Sequence, residues 1–198
     1  MTTRVTLISP ARSEASEEFR FDDGTPLSPA GLRSVREANA AADALPASAA
    51  RTAVSPSPRC AQTAEGLLGV AVAAAGGDER LAGCGMGRWR GRTLEEVSAA
   101  DPDGVARWLS DPAAAPHGGE SVEQLCARTG EWLTEVAEVP GRVLAVVEPD
   151  VVRALVVHAL GAPARTLWRL DVAPLTATEL SGRSGRWNLR AGTALPGR

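Results

Sequence analysis

The stretch GRVLAVVEPDVVRALVVHALG, Gly141–Gly161, sets out one unit of architecture in 21 residues. Val143–Val147 is a continuous apolar run, the pattern of a strand covered on both faces. Glu148 marks the junction, and Pro149 falls where a first helical turn tolerates a residue without an N–H. The segment from Asp150 onward is apolar nearly all round, which predicts a helix enclosed by protein. His158 lies inside it and is expected to be a hydrogen-bonded core residue.

Working outward, the same strand-then-turn pattern recurs. VTLIS, Val5–Ser9, reads as a second buried strand, and TAVSPSP gives a third that ends near Ser55. Helices are predicted over Leu27–Pro46, with Ser28 as N-cap and Pro46 as terminator, and from Ser57-Pro58 through RCAQTAEGLLG. A short strand is expected around Arg80–Ala82. Thr93 to Glu96 and Ser121 to Gln124 are capping boxes that open two more helices. The second helix carries the stripe Val122, Leu125, Cys126, Thr129, Trp132, Leu133 and Val136 at helical spacing. TATELSG and RWNLR close the chain as two strands joined by the turn-rich GRSG. The alternation predicts an α/β fold, a three-layer α/β/α sandwich with a mostly parallel central sheet, as a single domain over 1–198. In such sheets ligands sit beyond the carboxyl ends of the strands, so Ser9, Pro10 and Glu148 are expected to face one crevice.

Composition narrows the function. The net charge of −3 argues against nucleic acid, which needs a concentrated basic face. No apolar run approaches the roughly 20 residues of a membrane span, and MTTRVTLIS is too short an apolar start for a signal peptide. Cys60, Cys84 and Cys126 are odd in number and contain no Cys-x-x-Cys, as expected of reduced thiols in a cytoplasmic protein. Two distant histidines and three scattered cysteines make no metal ligand set, and no phosphate-binding or dinucleotide-binding glycine fingerprint is present, so no metal or cofactor is expected. A small-molecule ligand is the expected partner, with a homodimer left open.

Four motifs, in order, resemble the histidine phosphatase superfamily, also called phosphoglycerate mutase-like. SPSPRCAQTAE is similar to the family's Ser-Pro-x-x-Arg-x-x-Gln-Thr-Ala element, and GRWRGRTLEEV to its glycine-tryptophan-x-glycine stretch. HGGES resembles its Gly-Glu-Ser loop, and LAVVEPDVVRAL its last strand and helix. The resemblance runs from Val5 to about Leu180 and implies the fold. It also exposes departures. Where the family has Arg-His-Gly, with a histidine that becomes phosphorylated, this chain reads Ser9, Pro10 and Ala11. The mid-chain acid is Gly83, and the second histidine is Glu148. Of the family's catalytic set only Arg59 stands.

Proline cannot attack phosphorus, and a carboxylate in a phosphate cradle costs about 4 kcal/mol at ~4 Å and an effective dielectric of ~20. The expectation is therefore a repurposed enzyme that is not a phosphatase, performing acid–base chemistry on a small polar or anionic metabolite. Cyclisation, dehydration and isomerisation are the reaction types considered. The alternative is a pseudophosphatase that binds a ligand or partner without turnover, and residual hydrolysis ranks last. Glu148 is the candidate acid or base, or else a cap that pairs with Arg59. Arg59 is the candidate anion anchor, or half of that salt bridge. Arg12 and Ser13 could line the crevice or belong to a surface loop. His117 could reach over the crevice as an acid or base, or stand solvated in its loop. Glu120 could reach the site, or only favour the helix start beside Ser121. Met86, Trp89 and Trp108 offer an apolar wall, or ordinary core.

Overall fold

The computed structural model describes residues 2–41, 51–69, 77–183 and 185–191. In chain order the elements are β1 (Thr3–Ile8), α1 (Glu14–Glu17), α2 (Pro29–Ala41), β2 (Arg51–Val54) and α3 (Pro58–Leu68). They continue with α4 (Leu94–Ala100), α5 (Pro102–Ser110), α6 (Val122–Glu138), β3 (Gly141–Val146), α7 (Pro149–Ala159), β4 (Ala177–Arg183) and β5 (Arg186–Arg190). One sheet runs in the order β2-β3-β1-β4-β5. Its register pairs Val5 with Val143 in parallel on one side of β1 and with Leu180 antiparallel on the other.

The sheet is therefore mixed. β2, β3 and β1 are parallel, while β4 and β5 form an antiparallel edge. The short connection between β4 and β5 accounts for their mutual sense, because only antiparallel strands can be joined so tightly. Side chains alternate across the parallel strands as the pleat requires. Val5, Leu7, Val143 and Ala145 pack under α6 and α7 with Leu125, Leu133, Val152 and Leu155. Ile8, Val54, Leu144 and Val146 face the other way, onto Cys60 and Ala64 of α3. That is the three-layer arrangement.

Local signals placed the helix starts. Ser57 caps α3 by accepting from Cys60 N, with Pro58 in the first turn. Both expected capping boxes are present, at Thr93 and Ser121. Ser28 Oγ accepts from Gly31 N at the start of α2. The terminator Pro46 lies outside the described residues. Two local expectations differ. Glu79–Leu81 is a 3₁₀ turn, because Asp78 caps it by accepting from Arg80 N. His158 is exposed in the last turn of α7, where its ring lies across Gly130 of α6 and not in the core. A Cβ on Gly130 would stand 2.3 Å from His158 Nδ1, so the helices approach here through a glycine.

Candidate active site

The carboxyl ends of β2 and β3 lie side by side, and the next helix on each strand brings one charged residue to that edge. Arg59 comes from the first turn of α3 and Glu148 is the N-cap residue of α7. They form a buried two-pronged pair. Arg59 Nε donates to Glu148 Oε1 at 2.9 Å, and Nη2 donates to Oε2. Ser57 Oγ also donates to Oε1 at 2.5 Å, and Cys60 Sγ approaches the same oxygen at 3.5 Å. Burial works against the guanidinium's charge, yet the bonded carboxylate outweighs it and holds the Arg59 pKa above its usual value. The glycine at position 83 lets Glu148 lie close beside it. A Cβ there would stand 3.2 Å from Glu148 Cγ.

The pair forms the floor of a pocket of about 230 Å³. Asp22 reaches in from the loop after α1, its Oδ1 3.9 Å from Arg59 Nη2. Burial, then the nearby Glu148, raises its pKa above the ordinary carboxylate value. Asp150 is raised by the same two causes while accepting from Cys84 N and Val151 N. Cys84 lines the pocket too, and burial, then Asp150, pushes its thiol pKa well above the ordinary value, so it stays a protonated thiol. The apolar side is built by Phe21, Met86, Trp108 and Trp168. Behind them Trp89 stacks on Phe21 at 5.7 Å and meets Trp108 edge to face at 5.5 Å.

The structure thus gathers Arg59, Gly83 and Glu148, with Met86 and Trp108 beside them. Other candidates stand elsewhere. Ser9 is buried and donates to Ala173 O at 2.5 Å, tying the loop before β4 to the end of β1. Pro10 is buried beside it, and neither residue lines the pocket. Arg12 is exposed, and Ser13 caps α1. Glu120 is held by Arg128 through two bonds of 2.6 and 2.7 Å.

His117 is 1% exposed, contrary to a solvated loop. Its Nδ1 accepts from Gly119 N at 3.0 Å, and its ring packs 5.0 Å from that of Trp89. Burial, then the nearby Arg88, lowers its pKa below the usual 6.5. The folded state therefore binds this proton less well than the unfolded chain. Its contribution to stability is present above 6.5 and is lost as pH falls towards the folded value. Urea midpoints of wild type should drop between about pH 7 and about pH 5.5, and His117→Gln should drop less. Equal drops would show that this imidazole does not govern the slope.

Asp22, Asp150, Arg153 and Trp168 escaped the sequence reading. Asp150 alone carried a signal, as an acid in the first turn of a helix.

The sequence profile of the histidine phosphatase superfamily (branch 1) matches residues 11–193. The chain belongs to that superfamily. A bifunctional protein of Mycobacterium tuberculosis is 32% identical over 189 residues, which cover 89% of this chain and 50% of that protein. Glucosyl-3-phosphoglycerate phosphatase of the same organism is 31% identical over 122 residues, covering 61% of this chain and 54% of its own. This superfamily member thus spans about half the length of the curated relatives it matches. Among solved structures, a mycobacterial glucosyl-3-phosphoglycerate phosphatase complexed with VO3 superposes with a TM-score of 0.81 at 25% identity, covering 94% of this chain and 96% of that one. An Escherichia coli putative alpha-ribazole-5'-P phosphatase gives 0.82 at 19% identity with coverages of 97% and 96%, a likeness of fold alone.

These relatives overturn the expectation of a repurposed, non-phosphatase enzyme, and they give no support to the ligand-binding relic set beside it. The electrostatic premise behind that expectation was an uncompensated carboxylate in the cradle. Glu148 is instead neutralised by Arg59 and bonded by Ser57, so its repulsion of an incoming anion is largely cancelled.

Proposed function

We propose that the chain is a phosphatase-class member of its superfamily, acting on a small phosphate monoester. The observation that supports this is the state of Arg59. Its Nε and Nη2 serve Glu148, while Nη1 donates to none of the described residues and remains for a ligand oxygen. The remaining edge of this guanidinium can donate to the oxygens of a tetrahedral phosphate.

Hydrolysis needs positive charge against the phosphoryl oxygens, an attacking oxygen and a proton for the leaving alcohol. Arg59 supplies the first. No histidine is among the described residues that line the pocket, so in this proposal water attacks phosphorus. Glu148 takes the water's proton as the ester P–O bond breaks. The alcohol leaves with the proton of Asp22, whose raised pKa suits a donor. Inorganic phosphate and the free alcohol are the products. The three unpaired thiols fit a reducing, cytoplasmic setting.

The test is phosphate release from a panel of small phosphate monoesters, comparing wild type with Arg59→Lys. Lysine keeps a cation for Glu148 but loses the second edge. The variant should lose about 10²–10³-fold in kcat/KM, as when an oxyanion donor is removed. Turnover of every ester at the buffer rate would refute the proposal.

A further inference from the structure

The sheet has a second open surface, at the end away from Arg59 and Glu148. α3 covers the carboxyl-end half of one face, over Ile8, Val54, Leu144 and Val146. Towards the amino ends of β1 and β3 the same face turns polar and bounds a cavity of about 800 Å³. Register sets the positions. Arg142, Arg4, Ser181 and Asn188 form one row across four strands, and Leu144, Thr6, Glu179 and Arg190 form the next. Side chains two residues apart share a face, so Arg183 and its cross-strand partner Arg186 extend this surface at the hairpin.

The charge on this face runs against that of the chain. The whole sequence has more acidic than basic residues, 24 against 21. Here Arg4, Arg142, Arg183, Arg186 and Arg190 accompany a single carboxylate, Glu179, and all six are exposed. Glu179 accepts from Arg190 at 2.8 Å, a solvated pair that a partner can rearrange at little cost. Arg183 stands directly opposite Arg186, and Arg4 opposite Arg142. Like charges so placed repel, so sheet stability does not account for the collection. An anionic occupant turns that repulsion into attraction. The kind of anion follows from the other residues. Thr6, Ser181 and Asn188 both donate and accept, while Glu179 only accepts. A peptide chain meets both needs, with carboxylates for the arginines and N–H groups for the acceptors. A phosphodiester backbone brings acceptors, and unpaired bases seek aromatic platforms. Among the described residues lining the cavity none is aromatic, and Trp187 lies on the opposite face, in the core. A membrane surface is too broad to enter a concave site.

We propose that this arginine-lined face docks an acidic, Asp- and Glu-rich polypeptide segment of a partner protein. The docking face is independent of the phosphate-monoester proposal, since none of its residues lines the Arg59 pocket.

The probe is a fluorescein-labelled oligoglutamate peptide, followed by anisotropy at about 0.15 M salt and above. Wild type should bind it, and the affinity should fall as salt rises. Arg4→Glu/Arg190→Glu reverses two charges on the face and should weaken binding by about tenfold or more. Arg4→Gln/Arg190→Gln, which removes charge without adding any, should weaken it in the same direction by less. Arg107→Glu/Arg169→Glu makes the same change in net charge at exposed positions of α5 and the 3₁₀ turn Ala164–Arg169, and should bind as wild type does. Urea midpoints should stay at the wild-type value throughout, because these are surface substitutions. No binding by wild type overturns the proposal. So does an equal loss in the two charge-reversed variants, which would mean that net charge alone attracts the peptide. Tighter binding of an oligodeoxythymidylate, or of phosphatidylserine vesicles, than of the peptide also overturns it, and gives the face to nucleic acid or to a membrane instead.

Discussion

Glu148→Ala should destabilise the fold by about 3–5 kcal/mol, because it leaves a buried guanidinium without its counter-charge. The Glu148 side chain is 3% exposed and that of Arg59 11%, so little solvent reaches the pair to replace the lost bonds. Asp22, at 3.9 Å and more exposed, is too far to replace a two-pronged contact. Ser57 Oγ would lose its acceptor as well. Urea denaturation at neutral pH reads the effect as a shift in midpoint. The double variant Glu148→Leu/Arg59→Met should recover most of the loss, since apolar residues of similar volume often substitute for a buried pair without cost. A single variant within about 1 kcal/mol of wild type would mean that the pair behaves like a surface ion pair.

Trp89→Ala should cost a similar amount, about 3–5 kcal/mol, by the loss of a large core side chain and the cavity left behind. Trp89 is 1% exposed and touches three rings: Phe21 in a stack, Trp108 and His117 edge to face. Met86, Val97 and Val105 complete the cluster. Phe21, Met86 and Trp108 also line the pocket, so the loosened support should raise KM as well as lower the urea midpoint. Trp89→Phe, which keeps part of the volume, should lose less on both measures. An alanine variant with lowered stability and unchanged KM would separate the cluster from the site.

Family membership was legible because its motifs are local. Ser55–Glu65 and Gly87–Val97 carry caps, prolines and glycines whose roles are set within a few residues, and the match over residues 11–193 covers them. The function was misread from the same stretch of reasoning. The residues at positions 10 and 148 depart from the family pattern, and the pairing of Glu148 with Arg59, one of two readings open from sequence, is the one the fold shows. His117 illustrates the same limit. Its glycine-rich neighbours suggest an open loop, yet a tryptophan 28 residues earlier in the chain covers its ring.

The sequence by itself determined the five strands of the sheet and the helix starts, and it offered the meeting of Arg59 with Glu148 as one of two readings. Apolar periodicity and side-chain caps act over three or four residues, and adjacent parallel strands end on the same edge. Only the tertiary structure decided that Gly83 would lie against Glu148, that Asp22 and Asp150 would join the pocket, and that Trp108, Trp168 and Arg153 would line it. Those neighbours come from elements far apart in the chain. Their proximity follows from how α5, α7 and the turn Ala164–Arg169 pack around the sheet, and no local pattern encodes that packing.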